Sequence, residues 1–143
     1  QDIAQACLQE GLLAEAEEAA NSALQAASEP LSYPDLGVAQ RILGQVTHAR
    51  GQSSEGETLL QQSLETLQQH GSRYELARTY LALGAARADQ PDRIDEAWKA
   101  LDQAYSIFQQ LGARLDLEQI DGLKDQLLSG KTIPVGERSK GDD

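Results

Sequence analysis

The chain has 143 residues, a formal net charge of −11, 40% apolar residues and only 4% aromatics, so it holds one domain's worth of polypeptide, able to bury roughly 70% of its unfolded surface. That charge supplies no basic footprint for nucleic acid or for an anionic membrane surface, and no apolar run approaches the roughly 18–20 residues of a spanning helix. Val, Ile and Thr are scarce beside Leu and Ala, which argues against a strand-built core and for helices packed on helices.

Apolar spacing predicts helices over residues 2–10, 12–28, 35–50, 54–69, 74–89, 93–110 and 115–128. The first carries Ile3, Ala4, Leu8 and Cys7, the single cysteine. With no internal disulfide to form, a reducing, cytoplasmic setting is expected, and Cys7 reads as a small core residue. The second carries Glu15, Glu17 and Glu18 and no basic residue. Ser32-Tyr33-Pro34-Asp35 and Ser54-Glu55-Gly56-Glu57 have capping-box spacing ahead of the third and fourth. Leu59, Leu60, Ser63, Leu64 and Leu67 share one face of the fourth; Leu101, Ala104, Tyr105 and Phe108 share one face of the sixth. Gly51, Gly71 and Gly112 stand at helix ends, where a left-handed cap needs no side chain. In the seventh, Leu115, Ile120, Leu123, Leu127 and Leu128 form an inner stripe. Asp116, Glu118, Asp121, Lys124 and Asp125 give it the polar outer face of a terminal cap. Residues 129–143 have no helical period and read as a tail or linker.

The sequence also repeats. Leu43-Gly44 recurs forty residues on as Leu83-Gly84, and Gly11, Glu15, Glu17 and Leu24 recur as Gly51, Glu55, Glu57 and Leu64. Past Asp89-Gln90-Pro91-Asp92 the offset becomes forty-one: Leu60, Gln62, Gly71 and Arg73 match Leu101, Gln103, Gly112 and Arg114. Each unit reads as two helices with short connections, which makes neighbours antiparallel. Gly44 and Gly84 lie inside helices, where glycine costs about 1 kcal/mol relative to alanine. That is tolerable where a partner helix presses close, with Gly56 and Ala97 across from them.

These units resemble the tetratricopeptide repeat. The third reads Tyr80, Leu83-Gly84, Arg87, then Ala97, Leu101 and Ala104; the second reads Gln40, Leu43-Gly44, Thr47, then Gly56, Leu60 and Ser63. The first keeps only Ala16, Ala20 and Ala23. The resemblance spans residues 1–128. It implies an all-α fold, an α-solenoid of about three antiparallel helical hairpins with a C-terminal capping helix. The forty-residue period and the Gly71-Ser72-Arg73 and Gly112-Ala113-Arg114 linkers look like arrays in bacterial multidomain regulators. With its first helix cut short and no methionine at Gln1, the chain is expected to be a piece of such a longer protein.

In that family the first helix of each pair lines a concave groove. Transferred by register, the partner-binding positions are Val38, Arg41, Gln45 and His48, then Arg78, Leu81, Ala85 and Ala88, and Gln119 from the last helix. The first helices 35–50 and 74–89 carry Arg41, Arg50, Arg78 and Arg87 against Asp35, Glu75 and Asp89, whereas the second helices 12–28 and 54–69 carry Glu15, Glu17, Glu18, Glu55, Glu57 and Glu65 without a cation. A neutral-to-basic groove and an acidic back are therefore expected. Arg41 and Arg78 read equally as groove residues or as solubilising surface. Arg50 and Arg87, near helix ends, read as offsetting the helix dipole. Arg41 and Gln45 only approximate the Lys and Asn of a carboxylate clamp, so capture of a chaperone tail is not expected.

No catalytic, metal or cofactor set assembles. His48 and His70 are the only histidines and have no metal-ligand spacing. Gly130-Lys131-Thr132 has Asp125 where a phosphate-binding loop needs glycine. Adjacent carboxylates such as Glu17-Glu18 and Asp95-Glu96 do not share a helix face. Trp98 and Tyr105 share a face and either pack or anchor a partner. The expectation is a protein-interaction scaffold holding a protein or peptide segment, and not an enzyme. Two other readings stand beside it. One is a regulatory arm acting within a signalling ATPase, cyclase or protease. The other is a homodimerising module using the apolar edge of the first helix.

Overall fold

The computed structural model describes residues 13–26 and 33–130, and every regular element among them is helical. The α-helices are α1 (Leu13–Ala26), α2 (Tyr33–Ala49), α3 (Ser53–His70), α4 (Arg73–Ala88), α5 (Ile94–Leu111) and α6 (Arg114–Leu128). A 3₁₀ turn, Pro91–Arg93, leads into α5, at the place where the repeat offset changes from forty to forty-one. The helix expected over 2–10 and most of the expected tail lie outside the described residues.

Each helix packs against the next in the chain; α2 also touches α4, and α4 touches α6. The core has two clusters. One joins Leu60 and Leu64 of α3 to Ala82, Leu83 and Ala86 of α4 and Ala100 of α5. The other joins Ala77 and Leu81 of α4 to Leu101, Ala104, Ile107 and Phe108 of α5 and Ile120 of α6. Helix α4 belongs to both, and its buried residues, from Ala77 to Ala88, run around its circumference. A helix packed on several sides needs small or apolar residues all round, which its Ala- and Leu-rich sequence supplies.

The glycine seam recurs with the repeat. A methyl group on Gly44 would meet the Gly56 carbonyl oxygen at 2.9 Å and Leu60 Cγ at 3.0 Å. On Gly84 it would meet Leu101 Cγ at 2.8 Å and the Ala97 carbonyl oxygen at 3.4 Å. The residues expected opposite each glycine are the ones found there, forty and forty-one positions apart. A second buried contact joins three helices: Ser63 Oγ of α3 donates to the Gly37 carbonyl of α2 at 2.7 Å and lies 3.1 Å from Thr79 Oγ1 of α4. Ser63, read as a member of an apolar stripe, is thus a hydrogen-bonded link within that stripe.

Several expected helix ends differ. Gly51 (φ 90°) and Gly112 (φ 71°) take the left-handed conformation, but Gly71 is extended at φ −105°. Helix α3 begins at Ser53, so Ser54 lies inside it, and its N-cap Gln52 makes no side-chain cap. Glu57, which would close a capping box, is instead drawn to Arg87 and Arg93. A capping serine stands where none was expected: Ser72 accepts from the Glu75 amide at 3.1 Å ahead of α4. In α6 only Ile120 is fully buried; Leu123 and Leu127 are half-buried. Leu115 (79% exposed) and Leu128 (74%) leave the expected inner stripe, because they fall off the helix face on which Leu117, Ile120, Leu123 and Leu127 pack against the core.

Candidate functional site

The nine expected partner-binding positions lie on α2, α4 and α6, the alternate helices that touch one another. Polar links tie these helices at long separations. Arg41 Nη1 of α2 donates to Glu75 Oε1 of α4 at 2.7 Å. His48 Nε2 lies 3.0 Å from Asp89 Oδ2, just past α4. Tyr74 OH of α4 donates to Asp116 Oδ2 of α6 at 3.0 Å, and Arg78 Nη1 reaches the same phenol oxygen at 3.4 Å.

The positions divide by accessibility. Val38, Gln45, His48, Arg78 and Ala85 are half-buried, and Gln119 is exposed. Arg41, Leu81 and Ala88 are 3%, 6% and 3% exposed, so packing takes up their side chains and they offer no accessible lining. Arg41 is therefore neither a free groove cation nor a solubilising surface residue. Repeat register places a backbone position on a face, but it does not report which neighbour a long side chain turns toward. The Arg41–Glu75 pair spans thirty-four residues and has no local spacing signal.

The basic-groove, acidic-back division also changes in meaning. Arg50 pairs with Glu17 of α1 at 2.6 Å, and Arg87 Nε donates to Glu57 of α3 at 2.9 Å. Arg93 adds Nη1 and Nη2 contacts to Glu57 at 2.9 and 2.8 Å and a bond to Glu96. The helix-end arginines are thus engaged by specific glutamates of the neighbouring helices rather than by the dipole alone. The Arg93 guanidinium holds the Glu57 carboxyl below its ordinary range, aided by Arg87 and opposed by partial burial. Glu57 and Glu96 in turn raise the Arg93 pKa.

Open recesses lie elsewhere. One of about 450 Å³ is lined by Leu64, Tyr80, Leu83, Arg87 and Asp102. Others of about 400 and 250 Å³ lie beside Glu57 and Arg93 and beside Glu65 and His70. None of the nine positions lines any of these three. Among the described residues no group of three or more His, Cys, Asp or Glu side chains is placed to hold a metal ion, and no helix is long and apolar enough to cross a membrane. Cys7 and the apolar edge of the first helix lie outside the described residues.

Residues outside the expected set do the linking. Glu75, Asp89 and Asp116 supply the acceptors between alternate helices, and only Glu75 had a local signal, the Ser72-x-x-Glu75 spacing. On the other side, Lys124 of α6 reaches Asp102 of α5 at 2.8 Å and lies over Tyr105 and Trp98 at 4.8 and 5.5 Å from the ring centroids. No protein-family model matches this chain, and neither a curated protein nor a solved structure does.

Proposed function

We propose that this chain is a tetratricopeptide-like α-solenoid that binds a protein or peptide segment along the face shared by α2, α4 and α6. The observation that carries this reading is the mutual contact of these alternate helices, with polar links recurring at forty-one and forty-two residues in His48–Asp89 and Tyr74–Asp116. Such stacking of every second helix is what a hairpin array requires, and its extended face suits a segment better than a small molecule. The accessible residues Val38, Gln45, His48, Arg78, Ala85 and Gln119 form the proposed contact set. Arg41 is omitted because a substitution there acts on the fold.

The test is an affinity comparison between the native chain and Gln45→Glu with Arg78→Glu. Proteins retained by the native chain in a pull-down are identified, and their affinities for both forms are measured. Binding is expected to fall about tenfold or more with an unchanged circular-dichroism melt. Equal affinity would move the binding surface off this face.

A further inference from the structure

Trp98, Asp102 and Tyr105 are spaced i, i+4, i+7 on α5 and share one face of it. In the structure this face already holds an ammonium group. Lys124 Nζ is 2.8 Å from Asp102 Oδ1, 4.8 Å from the Tyr105 ring centroid and 5.5 Å from that of Trp98. Two ring faces and a carboxylate around one cation are the elements by which proteins recognise ammonium ligands. The set is particular to this unit. Forty-one residues earlier the same register holds Glu57, Gln61 and Leu64, and Lys124 itself replaces Leu83, which shares a core cluster with Leu64. An apolar pair within the array has become a cation on an aromatic face.

The helix that brings the lysine is the most lightly held of those packed on α5. Six residues of α5 are buried, against one of α6. The α6 N-cap, Ala113, makes no side-chain hydrogen bond, and Gly122 in its middle has no neighbour close enough to favour a glycine. Few buried contacts and a weak cap place α6 at the low end of local stability. The Asp102 side chain is 66% exposed, so the carboxylate is open to solvent even while Lys124 is 21% exposed. Asp116, Glu118, Asp121 and Asp125 of α6 outnumber its Arg114 and Lys124, and the chain as a whole carries −11. This field draws cations and repels anions.

We infer that the Trp98–Asp102–Tyr105 face of α5 is an ammonium-binding site for the lysine side chain of a partner segment, with Lys124 serving as its tethered internal ligand. The site lies between α5 and α6 and stands apart from the proposed face of α2, α4 and α6. A partner lysine competes with Lys124, and its apparent affinity is set by how much of the time Lys124 vacates the rings.

Trp98 is the only tryptophan in the chain, so its fluorescence reports on the site directly. The full chain and its Lys124→Ala variant are titrated with N-acetyl-lysine methylamide, with the norleucine analogue as the uncharged control at constant ionic strength. Lys124→Ala is expected to show a saturable Trp98 response to the lysine compound alone, at a midpoint about tenfold or more below that of the native chain, where the tethered lysine competes. Adding Asp102→Asn to that variant is expected to weaken the response severalfold. Should Lys124→Ala release α6, seen as lost helicity, the response is still expected, because all three acceptors belong to α5. No saturable response in Lys124→Ala, the same midpoint in both chains, or an equal response to the norleucine analogue would overturn the proposal.

Discussion

At the scale of single residues, the two seam glycines are the sharpest link between sequence and packing. Gly→Ala inside a helix gains about 1 kcal/mol of intrinsic propensity, yet at both sites the new methyl group has no room. At Gly44 the obstacle at 2.9 Å is main chain, the Gly56 carbonyl; at Gly84 it is the side chain of Leu101, which has rotamers to move through. Both Gly44→Ala and Gly84→Ala are expected to lower stability by about 1–3 kcal/mol, with Gly44→Ala the more damaging. Thermal melts of the two variants check this, and a rise in Tm at Gly44 would sink the close-approach argument. Arg41 tests the opposite kind of site. Removing its charge leaves the Glu75 carboxylate, 32% exposed, without its 2.7 Å partner. Arg41→Met is expected to cost about 1–3 kcal/mol, and Arg41→Glu more, since two carboxylates then face each other. Denaturant midpoints matching the native chain would return Arg41 to the surface.

At the scale of elements, Glu57 joins α3 to α4 and to the turn before α5 through Arg87 and Arg93. Its folded pKa lies below its ordinary value of 4.5, chiefly through the hydrogen bond from Arg93. The unfolded chain therefore binds the proton more readily across that interval. The stabilisation is fully present above about pH 4.5 and is lost as pH falls through the folded value. Glu57→Gln removes this term. Its denaturation midpoint is expected to fall less between pH 5 and pH 3 than that of the native chain, and parallel losses would show that Glu57 is not coupled to folding. The start of α3 at Ser53, with Gln52 as N-cap, puts Ser54 and Glu57 inside the helix and out of capping-box position, which leaves this carboxylate to the two guanidiniums. Helix α6 shows the complementary case. Its leucines predict a full inner stripe, but the contacting face is the one that carries Leu117, Ile120, Leu123 and Leu127, so Leu115 and Leu128, which lie off that face, stay in water.

At the scale of the whole molecule, the all-helical architecture, the number of helices after residue 33 and their order were legible in the sequence. Helical periodicity, glycine punctuation and the forty-residue echo depend on local spacing and on repetition, which a linear string displays directly. The apposition of Gly44 with Gly56 and of Gly84 with Ala97 was expected from the tetratricopeptide-like pattern, and the structure has both contacts. What only the tertiary structure decided was the use of each polar side chain. Arg41 turns inward to Glu75, Arg87 and Arg93 converge on Glu57, Ser63 bridges Gly37 and Thr79, and Lys124 settles among Trp98, Asp102 and Tyr105. Each of these contacts joins residues sixteen or more positions apart. Their geometry depends on how two helices lie against each other and on rotamers chosen within that contact, and neither quantity has a period that sequence can carry.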